Sequence, residues 1–159
     1  MPTKIDWADE TINPIGWGCY GPGGTAERPN ICSYCYAYRF SKRNMRGCPD
    51  CAAFRPHWHP EQLGKLAHWK KPRRVFIQSM GDLFGSWVPR WQIGNTLVAC
   101  ATLTRHTYLF LTKNPKGMFG YREFLDNEWV GVTVTNQADA NTRIPLLLQV
   151  PAAHRFVSV

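Results

Sequence analysis

Short β-rich runs recur along the chain at long intervals, each followed by polar or glycine residues and then by a segment with helical spacing. The clearest is Arg73–Met80 (RRVFIQSM). It leads through Gly81–Gly85 into Pro89–Leu103, where Trp91, Leu97, Val98 and Ala101 are predicted to line one helix face. Thr107–Leu111 (TYLFL) is the next strand, and Asn114–Pro115 opens a predicted helix carrying Met118, Tyr121, Phe124 and Leu125. Val130–Val134 (VGVTV) precedes Asn136, a candidate N-cap for a helix from Gln137 to about Gln149, and Arg155–Val159 (RFVSV) reads as a further strand. A first strand is expected within Thr11–Trp17 and another helix around Tyr36–Arg46.

Apolar strands alternating with helices predict an α/β fold with a parallel sheet, because parallel neighbours need a crossover and the usual crossover is a helix. About five strands make a partial (β/α) barrel, and the chain stops at the last of them with no helix to cover it, so a barrel truncated after that strand is expected. Ligands of such folds gather at the C-terminal ends of the strands. Here those ends are Gly18–Cys19, Met80–Asp82, Thr112–Lys113 and Thr135–Asn136, predicted to face one cleft.

The length, 159 residues, suits a single domain spanning 1–159. Hydrophobic residues make up 44% and charged residues 19%, which excludes a disordered chain. No apolar run approaches the length of a membrane span, and the acidic start Asp6, Asp9, Glu10 is unlike a signal peptide, so a soluble cytoplasmic protein without membrane contact is expected. The net charge of +8 is uneven. Residues 39–74 carry the whole excess of Lys and Arg, together with His57, His59 and His68. This stretch is expected to create a local positive field, read either as a solvated face or as a surface for nucleic acid.

Five of the six cysteines crowd between positions 19 and 51. Cys100 lies in the apolar stretch Leu97–Ala101 and reads as a buried, inert thiol. Two partitions of the other five remain open. Cys32-x2-Cys35 with Cys48-x2-Cys51 has the spacing of a four-thiolate structural zinc site. Alternatively, Cys19, Cys32 and Cys35 hold an iron–sulfur cluster with one open iron, while Cys48, Cys51, His57 and His59 form a second metal site within a Cys/His-rich basic insertion at about 44–72.

Cys32-Ser33-Tyr34-Cys35 resembles the cysteine motif of radical S-adenosylmethionine enzymes, with the aromatic residue just before the last cysteine. Met80-Gly81-Asp82 is similar to their Gly-Gly-Glu-like motif. The chain as a whole resembles an uncharacterised phage-associated family related to those enzymes, through Lys4–Trp7 (KIDW), Asn13–Cys19 (NPIGWGC), Cys35–Ala37 (CYA), His59–Leu63 (HPEQL), Trp69–Pro72 (WKKP), Ser79–Phe84 (SMGDLF), Leu111–Pro115 (LTKNP), Gly131–Asn136 (GVTVTN) and Arg143–Gln149 (RIPLLLQ). The resemblance implies a [4Fe–4S] cluster on Cys19, Cys32 and Cys35, S-adenosylmethionine as source of a 5′-deoxyadenosyl radical, and an electron donor as partner. It implies that Asp82 contacts the cofactor amine, with Gly81 giving close approach. By strand-end position, Lys113, Thr135 and Asn136 are candidates for cofactor or substrate contacts. The common pattern has three residues between the first two cysteines; here Tyr20–Ile31 supplies twelve, a glycine- and proline-rich loop expected to fold back.

Two function classes follow: a radical S-adenosylmethionine enzyme of unnamed substrate, or a zinc-stabilised nucleic-acid-binding module without catalysis. No G-x-x-x-x-G-K-[ST] loop, H-E-x-x-H helix or G-x-S-x-G elbow occurs, so kinase, zincin and hydrolase chemistries have no support.

Overall fold

Five strands form one all-parallel sheet in a computed structural model that describes residues 5–44 and 47–159. Lys4 of the KIDW motif and Met45–Arg46, the predicted end of the first helix and part of the basic insertion, lie outside the described residues. The strands are β1 (Glu10–Ile12), β2 (Arg74–Ile77), β3 (Thr107–Thr112), β4 (Glu128–Thr133) and β5 (Arg155–Ser158), paired in sequence order. The register sets Ile12 beside Ile77, Ile77 beside Phe110, Leu111 beside Gly131 and Val132 beside Val157. The order never reverses, unlike that of a doubly wound sheet, and the sheet is open, with β1 and β5 at its edges.

Strand alternation assigns the two faces. Val75, Ile77, Tyr108, Phe110, Val130 and Val132 pack with Leu66 of α3 (Glu61–His68), with Ile93, Leu97 and Cys100 of α4 (Arg90–Thr102), and with Leu147 of α5 (Gln137–Leu147). Phe76 and Leu109 point to the other face, where Leu111, Phe156 and the N-terminal Ile5, Trp7 and Ala8 join them. Trp7 lies with its ring centroid 4.8 Å from that of Phe76. Two further helices, α1 (Tyr36–Asn44) and α2 (Pro49–Ala52), precede α3 in the long crossover from β1 to β2.

Several expected elements differ. The first strand ends at Ile12, and Asn13–Gly18 instead forms a turn and an isolated bridge of Gly18 to Gly81. β2 stops at Ile77 because Gln78 takes φ +67, a left-handed conformation that ends the ladder. The predicted buried face of α4 holds at Leu97, and Cys100 is buried as expected, but Trp91 and Val98 are exposed; Gln92, Ile93 and Thr96 complete the buried set. That set follows the a/e spacing of a helix meeting a sheet, which the large apolar residues at 91 and 98 masked. The helix expected from Pro115 is only a 3-10 turn, Pro115–Met118, ended before Gly120 at φ +76. Beyond it, Arg122 holds the fully buried Glu128 through two 2.7 Å bonds and so seats the start of β4.

Asp9 and Arg74 tie β1 to β2 at the N-terminal end of the sheet: the Arg74 amide and guanidinium both reach the carboxylate, and the Asp9 amide donates to the Arg74 carbonyl at 2.8 Å. Hydrogen bonding from Arg74 holds the Asp9 carboxyl down at about 2, against an ordinary 3.8. A carboxyl with a depressed folded-state value contributes stability above pH 3.8 that is lost as pH falls through about 2. Asp9→Asn is therefore expected to be less stable at neutral pH and to lose less stability than the natural protein between those two values, as read from urea melts at a series of pH values. The exposure of Arg74 keeps the effect small.

Candidate functional site

A cleft of about 1200 Å³ opens over the C-terminal ends of the strands and the face that bears Phe76 and Leu111. Cys19, Cys32, Cys35, Gly81, Asp82, Lys113 and Thr135 line it, so all four predicted strand-end clusters reach one place: Met80–Asp82 and Thr112–Lys113 in full, the other two through Cys19 and Thr135. The twelve-residue loop closes on itself to do this. The Asn30 amide donates to the Tyr20 carbonyl at 2.7 Å, and the Asn30 side chain donates to the Pro22 carbonyl at 2.8 Å. A Cβ on Gly21, which has φ +77, would lie 1.7 Å from the Asn30 carbonyl oxygen, so only glycine allows the two ends to meet. Closure brings Cys19 beside the Cys32–Cys35 turn, where the Cys35 amide donates to the Cys32 carbonyl at 2.9 Å.

Burial pushes the Cys19 thiol up to about 12, and Asp82, Cys35 and Cys32 push it the same way, against a bond from the Gly21 amide. Lys113 faces this group: its Nζ donates to Cys32 Sγ at 3.2 Å and to the Tyr34 hydroxyl at 3.0 Å, and lies 4.6 Å from the Tyr34 ring centroid. Burial lowers the Lys113 ammonium, but Tyr34 and Cys32 outweigh it and the net direction is up.

Asp82 is fully occupied on one oxygen. Its Oδ1 accepts from the Phe84 amide at 3.0 Å and the Thr112 hydroxyl at 2.7 Å, and its Oδ2 from the Lys113 amide at 2.9 Å, leaving one acceptor position on Oδ2. Burial raises the carboxyl more than these three donors lower it. Gly81 lacks a side chain for a structural reason, since a Cβ there would come 2.3 Å from the Gly18 carbonyl oxygen. Thr135 donates its hydroxyl to Asp139 at 2.6 Å. Asn136 is the N-cap of α5, accepting from the Asp139 amide at 2.8 Å, and does not line the cleft.

Beside the cleft, Cys48, Cys51, His57 and His59 place one ligand atom each within 4.8 Å of all the others, so this group can hold a metal ion such as zinc. Cys48 and Cys51 thus converge with His57 and His59 and not with Cys32 and Cys35 in a four-thiolate set, while Cys19, Cys32 and Cys35 line the cleft. Pro49 starts α2 with Cys48 as its N-cap, and Phe54 at φ +57 turns the chain so that His57 and His59 return over the two thiols. The Cys51 amide, followed by both histidines, draws the Cys48 thiol down to about 6, while burial pushes Cys51 up to about 11.

Other groups at the site had no sequence signal beyond their neighbourhood. Gln78 is buried and spans the base of the site. Its Oε1 accepts from the Ile15 amide at 2.9 Å and its Nε2 donates to the Gly16 carbonyl at 2.8 Å. Tyr36 donates to the Ser79 carbonyl, and the Trp87 indole N–H is buried in the cleft wall without a protein partner. The basic stretch 39–74 is not one patch. Arg39, Lys42 and Arg43 are exposed on α1, which lines the cleft, whereas Lys70–Arg74 lead into β2 at the opposite end of the sheet. Among the described residues no helix is long and apolar enough to cross a membrane.

Fold and site together define an α/β protein with a parallel sheet, a cysteine-lined cleft at its strand ends and a Cys/His group beside it. The chain belongs to the DUF5131 family, described as "Protein of unknown function", which matches residues 2–159. No curated protein and no solved structure matches it.

Asp82→Ala would strand the Thr112 hydroxyl and the Phe84 and Lys113 amides in a buried place. A loss of about 3 kcal/mol in unfolding free energy is expected, measured by urea denaturation; a loss under about 1 kcal/mol would mean that water replaces the carboxylate.

Proposed function

We propose that the chain is a radical S-adenosylmethionine-type enzyme in which Cys19, Cys32 and Cys35 hold a [4Fe–4S] cluster. The observation that supports it best is the closed Tyr20–Ile31 loop, which sets Cys19, carried beyond β1 on the irregular Asn13–Gly18 stretch, and the Cys32–Cys35 turn in the wall of one large cleft. The donor set suits the group. Burial first, then Asp82, Cys35 and Cys32, raise the Cys19 thiol, and a polynuclear iron cation at the three sulfurs would offset that cost. The singly wound sheet agrees with part of a (β/α) barrel wall. When bound, a cluster of this kind supplies an electron to the sulfonium of S-adenosylmethionine.

This chain's own residues supply position and exclusion. The free acceptor position on Asp82 suits an amine, and the Lys113 ammonium suits an anionic group at the same mouth. Trp17, Tyr34 and Trp87 wall the cleft and limit water around them. An electron donor is the partner this chemistry requires. Nucleic acid as substrate would meet Arg39, Lys42 and Arg43 on α1, and those three exposed cations also sustain the second reading, a zinc-stabilised nucleic-acid-binding module.

Anaerobic purification with iron and sulfide analysis separates the two. About four irons per chain, falling to near zero in Cys19→Ala, together with 5′-deoxyadenosine on reduction with S-adenosylmethionine, are expected. Iron-free protein that Cys19→Ala leaves unchanged in metal content and in binding to an oligonucleotide would overturn the enzyme and leave the module.

A further inference from the structure

The four Cys/His ligand atoms are arranged as a metal requires before any ion is considered. His57 directs Nδ1 at the Arg55 carbonyl, 2.7 Å away; a carbonyl only accepts, so the ring proton sits on Nδ1 and Nε2 carries the lone pair. His59 directs Nδ1 at the Glu61 carboxylate, which fixes the same tautomer. The two Nε2 atoms then face each other at 2.6 Å, with Cys48 Sγ and Cys51 Sγ converging on the same point. Lone pairs at that separation repel unless a cation lies among them. A carboxylate or carbonyl behind each ligating imidazole is the usual outer support of a metal-bound histidine.

The spacing agrees with one tetrahedral ion. Bond lengths of about 2.3 Å to sulfur and 2.05 Å to nitrogen at tetrahedral angles place S and N about 3.5 Å apart. The four S···N distances are 3.2, 3.6, 3.5 and 3.5 Å. The two nitrogens would stand about 3.3 Å apart in the same geometry, so the imidazoles part by about 0.7 Å on binding. Two thiolates and two imidazoles fill the four positions, a set that selects zinc and leaves no place for a substrate.

The ligand loop is also fastened to the segment that carries Cys19. The His57 amide donates to the Ile15 carbonyl at 3.2 Å and the His59 amide to the Pro14 carbonyl at 2.7 Å, while the Trp17 amide donates to Cys51 Sγ at 3.3 Å. The fit is close: a Cβ on Gly16 would lie 2.4 Å from the His57 ring, and one on Gly18 would lie 2.3 Å from the Arg55 carbonyl carbon. We infer that Cys48, Cys51, His57 and His59 bind one structural zinc ion, and that this zinc clamps Pro14–Gly18 and thereby fixes Cys19 at the cleft. The inference is independent of whether the cleft holds a cluster.

The test uses the full chain and a Cys19→Ala/Cys32→Ala/Cys35→Ala variant, each analysed for zinc, then stripped and titrated with Zn2+ and with Co2+. One zinc per chain is expected in both, and Co2+ should give the intense visible bands of a tetrahedral thiolate site in both. Because Cys48→Ser could unfold the loop, the exposed Glu61 offers a milder change: Glu61→Gln keeps the fold and weakens zinc by about 10–100-fold in competition with a chromophoric chelator. Zinc retained by Cys48→Ser, or lost with the cleft triple variant, overturns the site. The clamp is read by alkylation of Cys19, followed by mass spectrometry of its peptide. Removing zinc should speed modification at least several-fold, and an unchanged rate overturns the clamp.

Discussion

The course of the chain as it leaves β1 constrains everything at the mouth of the sheet. Asn13–Cys19 has no regular structure to hold it, so its backbone groups must be satisfied from outside. Gln78 does so from below, taking a left-handed conformation that costs about 1–2 kcal/mol and returning two buried hydrogen bonds to Ile15 and Gly16. The His57 and His59 amides do so from above, and Gly18 bridges to the loop after β2. Cys19 emerges from this sandwich, and its position is that of the layers on either side.

Burial acts on two acidic groups at the cleft. Asp82 is buried and raised, Cys19 is buried and raised, and the only ammonium in hydrogen-bond contact with the three cysteines among the described residues is that of Lys113, on Cys32. Asp82 is also structural, because it joins the end of β2 to the end of β3 through Thr112 and Lys113. One carboxylate thus fastens two strand ends and keeps a single acceptor position toward the cleft. The Cys/His group has a different economy, with its own outer partners in Arg55 and Glu61 and little dependence on the cleft residues.

The strand and helix order was legible because the β-rich runs TYLFL and VGVTV, and the Asn136 cap, are local signals whose physics does not depend on partners. The a/e burial of α4 was not, since Trp91 and Val98 are as apolar as the residues the sheet covers. Nor was the end of β2 at Gln78, a residue whose left-handed backbone is held only by contacts 62 and 63 positions away. The candidate ligands were all nameable from spacing, yet their partition was open, because CxxC pairs look alike whichever partners they meet.

By itself the sequence determined most of the element types, though not the 3-10 turn at Pro115–Met118, together with the parallel α/β class and the inventory of thiols and imidazoles, all of which rest on neighbours along the chain. Only the tertiary structure decided that Cys19, Cys32 and Cys35 line one cleft, that Cys48 and Cys51 turn instead to His57 and His59, and that the basic stretch splits between two ends of the sheet. Those outcomes turn on the closure of Tyr20–Ile31 and the reversal at Phe54, where a single backbone angle redirects everything after it. Which groups then meet is set by the strands that fix the ends of each loop, and that distance is not written in any local pattern.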